Sequence, residues 1–220
     1  MIIRDGTVIW LGDIAKLPES EQYYLRSENR DSDHSIGSEF YDGQIECIFT
    51  EPNRENRLFA ERSDFVEACF LRFGAKIAHL DSEVMDLSIG FNSPVVDTEK
   101  ERRHIADTLN KIYVESLHRD ALGKILAALG GDAKDLGSLK RLQKIIEYFA
   151  PAEVAASLIS PFFVLYDLRV AYSHLTSAAS AADIMAKVLE RLALPNGSGL
   201  QPIYDALVER LGRTRFVILA

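Results

Sequence analysis

The chain has 220 residues, 47% of them hydrophobic and 26% charged, with a formal net charge of −8. Its length bounds it to one large domain, or a modest domain with an N-terminal appendage, with enough apolar side chains for a proper core. The negative balance argues against a protein that coats nucleic acid through a broad basic face, and leaves room for an enzyme with one small basic cleft. No apolar stretch reads as the roughly 18 residues of a membrane span, and the start, Met1-Ile2-Ile3-Arg4-Asp5-Gly6, does not read as a signal peptide. The two cysteines, Cys47 and Cys69, make neither a disulfide framework nor a metal-ligand cluster. A cytoplasmic protein without a membrane partner is expected.

Residues 1–62 differ in pattern from the rest of the chain. Ile2-Ile3-Arg4, Asp5-Gly6 and Thr7-Val8-Ile9-Trp10-Leu11 read as a β-hairpin, because Asp-Gly supplies the positive φ angles of a two-residue turn. A short helix is expected over Ser20–Leu25, then a polar loop over Ser27–Ser38, a short apolar element over Phe40–Phe49 and a loop over Thr50–Arg57. A strand pair this small needs something to dock on.

From Ser63 the pattern is helical, which sets the expected division at 1–62 and 63–220 and the fold class as mainly α, an up-and-down helical bundle. Asp64 and Glu67 resemble a capping box opening a helix to about Ala78, and Glu83–Ile89 reads as a short helical turn before Gly90. Thr98 and Glu101 then open the clearest helix, which is expected to run to Leu129 and stop at Gly130-Gly131. At ~1.5 Å per residue it would span roughly 45 Å, the spine of a bundle. Leu139, Leu142, Ile145, Ile146 and Phe149 line one stripe of the next helix. Pro151 suits a helix start, and Ser160-Pro161 either kinks that helix or caps a new one running to Leu175. Helices over Ser180–Leu192 and Pro202–Leu211 and an apolar tail, Phe216-Val217-Ile218-Leu219, complete the chain.

Several candidate sites fail on physical grounds. Glu101-x-x-His104 and Glu115-x-x-His118 each match a helical di-iron unit, but on one helix they would lie about 21 Å apart and share no ion. They read as solvated helix charge. Asp31, Asp33, His34 and Glu39 lack the spacing and turn glycine of a calcium loop. There is no nucleophile elbow, Walker loop or dinucleotide fingerprint, and neither a metal nor another cofactor is expected.

Leu165-Tyr166-Asp167-Leu168-Arg169-Val170-Ala171-Tyr172-Ser173-His174-Leu175 is the chemically informative segment. A His moves protons near neutral pH, and a guanidinium holds phosphate through a two-point fork, so the two suffice to cleave RNA without a metal. In an unbroken helix, however, positions 169 and 174 point about 140° apart. They could serve one phosphate only if the helix ends near His174 or a second chain supplies a partner group. Arg72 and His79 offer a comparable spacing, which reads as coincidence.

The run from Pro161 to Leu175 resembles the motif helix of HEPN domains, helical bundles marked by an Arg, four to six residues, then a His. The order of a long amphipathic helix, a second helix and the motif helix is also similar, and the resemblance covers about residues 98–212. Tyr24–Asn29 and Ser38–Tyr41 are similar to segments of bacterial proteins. The resemblance implies a homodimer with facing motifs and, in its catalytic members, a metal-independent endoribonuclease of toxin–antitoxin or phage-defence systems. His174 would be the acid or base, Arg169 would stabilise the charged phosphate, and Tyr166, Asp167, Tyr172 and Ser173 would supply supporting polarity. The ribose 2′-hydroxyl as nucleophile would restrict the substrate to RNA. Active members usually carry a polar residue directly after the Arg, and this chain carries Val170. The alternative expectation is a non-catalytic dimerisation, scaffold or RNA-binding module with a protein partner such as an antitoxin, or part of a larger protein.

Overall fold

The computed structural model describes residues 2–3, 7–8, 11–27, 53–175 and 177–213. The chain divides into two compact units, Met1–Glu51 and Pro52–Ala220. In the first, strands β1 (Ile2–Ile3) and β2 (Thr7–Val8) pair antiparallel, with Ile2 opposite Val8 and Ile3 opposite Thr7. Helices α1 (Leu11–Ile14) and α2 (Glu19–Ser27) come next. Leu11, expected at the end of a strand, therefore opens a helix instead. The Asp5-Gly6 turn, the Phe40–Phe49 element and the Asp31-to-Glu39 loop lie outside the described residues.

The second unit is helical. Helix α3 (Arg54–Phe73) starts well before the expected capping box, so Asp64 lies inside it and residues 54–62 form its first turns. The physical reason is Asn53, whose side chain accepts from the Asn56 amide at 2.7 Å and satisfies a backbone donor that would otherwise be unpaired. Leu58, Phe65 and Cys69 then fall on one buried stripe. Gly74 closes the helix at φ 65°, a conformation glycine adopts without a Cβ penalty. The short helix expected before Gly90 is α4 (Asp81–Ile89).

The long spine does not form. Helix α5 (Glu99–Asn110), capped by Thr98 as expected, passes into a π-helical turn over Lys111–Glu115, and the helix then stops. Leu117 then pairs antiparallel with Ala78: the His79 amide donates to Ser116 O at 2.9 Å and the His118 amide to Ile77 O at 2.8 Å. Helix α6 (Arg119–Ala128) restarts from His118, whose Nδ1 accepts from the Ala121 amide at 3.2 Å. The break is held by Arg62 of α3. Its Nε donates to Ile112 O and its Nη2 to Ser116 Oγ, both at 2.8 Å, so a side chain replaces helical partners lost at the π turn.

Helices α7 (Ser138–Glu147), α8 (Ala152–Ser173), α9 (Ala178–Leu192) and α10 (Leu200–Gly212) complete the bundle. Of the two outcomes open at Pro161, the helix continues through it, with Pro161 buried. Helix α9 starts at Ala178 rather than Ser180 because Ser177 caps it, accepting from the Ser180 amide at 3.2 Å. Helix α8 lies at the centre, packed mainly against α5 and α9 and also against α7 and α10. Its buried Ile159, Phe162, Val164, Leu165 and Leu168 explain its apolar composition, although by length and composition alone it would suffice to cross a membrane. Each such side chain removed from water contributes roughly 1.5–3 kcal/mol. Helix α10 is tied to α3 by the Tyr204 hydroxyl, which donates to the buried Glu55 carboxylate, and by the Arg54–Asp205 ion pair.

Candidate functional site

Arg169 sits one turn from the end of α8, half-buried, against the π-turn end of α5. Its Nη1 lies 2.7 Å from Glu115 Oε1, and its Nε lies 3.9 Å from Asp107 Oδ1. The π turn is what delivers Glu115. In a regular helix residues 110 and 115 would point about 140° apart, but one extra residue in the turn moves 115 to where residue 114 would lie. Glu115 Oε1 consequently accepts from Asn110 Nδ2 at 3.0 Å while it forms the ion pair with Arg169. Asn110 is completely buried, and its Oδ1 has no hydrogen-bond partner among the described residues.

Ser173, four residues on from Arg169, faces the same way and donates to Asp107 Oδ1 at 2.8 Å. Two carboxylates therefore meet one guanidinium, and the cluster carries an excess of negative charge. That is the inverse of a phosphate cradle, which needs uncompensated positive charge and free forked donors.

The other motif residues go elsewhere. Asp167 points to α9, where Arg191 Nη1 donates to it at 2.6 Å, and Tyr166 is exposed. Tyr172 is half-buried; burial raises its hydroxyl pKa, against the opposing effect of Arg102. Its backbone carbonyl accepts from Arg103 Nε at 2.8 Å. Helix α8 ends at Ser173, and His174 continues in extended backbone at φ −92°, ψ 151°. The imidazole thus escapes the constraint of an unbroken helix. It is exposed and makes no hydrogen bond or ion pair among the described residues. The structure joins Arg169 with Ser173, leaves His174 at the helix end, and separates both from Asp167.

Sequence reasoning missed Asp107, Asn110 and Glu115 as the groups around Arg169. Glu115 read as solvated helix charge, and it is instead shared between Arg169 and Asn110. A polar Asn inside an apolar stripe was the one available signal. Of the Glu-x-x-His residues, His118 caps α6, and its ring stands edge-on to His79 at 5.6 Å. The guanidinium of Arg72, the other spacing match, lies over the Phe149 ring at 4.4 Å. Among the described residues no group of three or more His, Cys, Asp or Glu side chains is placed to hold a metal ion. Compared with protein-family models, curated proteins and solved structures, the chain matches none.

Proposed function

We propose that this chain is a HEPN-like helical module in which the Arg169 segment ties the bundle together, and that it acts by binding a partner, a second copy or RNA without cutting it. The observation that carries the reading is the Arg169–Glu115 contact at 2.7 Å, reinforced by Asp107. A guanidinium already neutralised by two carboxylates has little attraction left for a phosphorane, and Val170 adds no donor beside it.

The second reading is a metal-independent endoribonuclease, acting as a homodimer in a defence or toxin–antitoxin setting, with His174 as acid or base and Arg169 on the phosphate. It is favoured by His174, which leaves the helix and is exposed for proton transfer. In that case RNA would have to displace the carboxylates from Arg169, or a second chain would have to supply the positive charge.

RNA cleavage in excess EDTA separates the two. Wild type, His174→Ala and Glu115→Gln are compared at matched purity and fold on structured and single-stranded RNAs. The binding module predicts no cleavage by any of them. Cleavage by wild type that disappears in His174→Ala would establish the endoribonuclease and sink the binding reading.

A further inference from the structure

Helices α3 and α4 enclose a groove of about 750 Å³, on a different part of the bundle from Arg169. Asn56, Ala60, Ser63, Glu67 and Phe70 recur along one face of α3 at helical spacing, and the small Ala60 and Ser63 leave depth in the middle. Helix α4 has no buried residue at all, yet turns Val84, Met85 and Ile89 to the same space. Met85 is 59% exposed, Ile89 76% and Phe70 50%. An apolar stripe assembled from two helices and left uncovered is the composition of a ligand site, and a volume of this order is typical of one.

One wall of the groove carries a charge that no carboxylate of the described residues meets at ion-pair distance. Arg62 lines it, with Nε and Nη2 committed to Ile112 O and Ser116 Oγ. Its Nη1 makes no hydrogen bond among the described residues. Burial lowers its pKa, with Tyr113 and Asp81 acting in the opposite direction. Of the other charged lining groups, Lys76 and Asp81 neutralise each other in an ion pair and Glu67 is exposed. A half-buried guanidinium held rigidly by two hydrogen bonds, with donor capacity left over, is preorganised for an oxyanion.

We propose that the α3–α4 groove binds an aliphatic carboxylate, with its head group on Arg62 and its chain against Val66, Phe70, Val84, Met85 and Ile89. The apolar walls supply burial, and the guanidinium discriminates the acid from a neutral chain of equal length.

Titration calorimetry of the whole chain with decanoate below its micelle concentration, alongside 1-decanol, tests this. Saturable one-site binding of decanoate is expected, with decanol at least about tenfold weaker, the equivalent of one charge-assisted hydrogen bond. Because Arg62→Met removes ties that hold the π turn, the deciding variant is Met85→Glu, at an exposed position whose new charge repels the carboxylate. It is expected to weaken decanoate binding at least about tenfold with thermal unfolding unchanged. Absence of saturable decanoate binding, equal binding of decanol, or a Met85→Glu variant that binds like wild type would each overturn the assignment.

Discussion

Glu115 Oε1 forms an ion pair with Arg169 Nη1 at 2.7 Å and accepts a hydrogen bond from Asn110 Nδ2 at 3.0 Å, so one carboxylate oxygen joins the end of α8 to a completely buried amide on α5. The two contacts differ in worth. The Arg169 pair is about a third exposed and is screened by solvent, whereas the Asn110 donor has no water to fall back on.

Two substitutions at 115 therefore part company. Glu115→Leu leaves Asn110 Nδ2 without an acceptor and is expected to cost about 1–3 kcal/mol. Glu115→Gln keeps an acceptor oxygen and is expected to cost less than about 1 kcal/mol. Urea denaturation of both variants checks the order; equal losses would place the energy in the ion pair. Gel retention of RNA by Glu115→Gln should also rise over wild type if carboxylates are what keep phosphate from Arg169.

His174 and Arg169, the two named residues of the motif, should behave differently in stability. His174 is exposed and makes no bond among the described residues, so His174→Ala is expected to stay within about 0.5 kcal/mol of wild type. Arg169→Met removes the link to Glu115 and is expected to cost about 1 kcal/mol. A large loss in His174→Ala would mean that the residue holds the helix end in place.

Alkaline pH should destabilise the protein through its buried tyrosines. Burial raises the hydroxyl pKa of Tyr113 and Tyr204, and for Tyr204 the hydrogen bond to Glu55 adds to the effect. In the unfolded chain they ionise near pH 10, so above that value the unfolded state holds fewer protons than the folded one. Stability is then complete below about pH 10 and falls by about 1.4 kcal/mol per pH unit for each tyrosine above it. Tyr204→Phe should be less stable at pH 7, where Glu55 loses its donor, yet show a shallower alkaline fall. Thermal unfolding between pH 7 and 11 measures both; an unchanged slope would contradict the assignment.

Cys69 is buried in the α3 stripe, and burial pushes its thiol up to about 12 despite the opposing effect of Arg72. The thiolate is the reactive form. In a Cys47→Ser background, iodoacetamide at pH 8 should modify the native protein far more slowly than the urea-unfolded chain. Equal rates would show that α3 opens readily from the core.

Helical periodicity, the Thr98 cap, the stop at Gly130-Gly131 and the central apolar segment were legible because each depends on residues close in sequence. The same local logic singled out residues 165–175 as a candidate site. It failed where a distant group won. Residues 98–129 carry a good helical pattern, and no local signal announces that Arg62, fifty residues earlier in the chain, holds Ile112 O and so supports a π turn and a break. That break places Glu115 on Arg169. Tertiary structure alone decided that the motif arginine is neutralised rather than free, because charge balance at a site is set by which side chains converge in space, and spacing along the chain does not fix that.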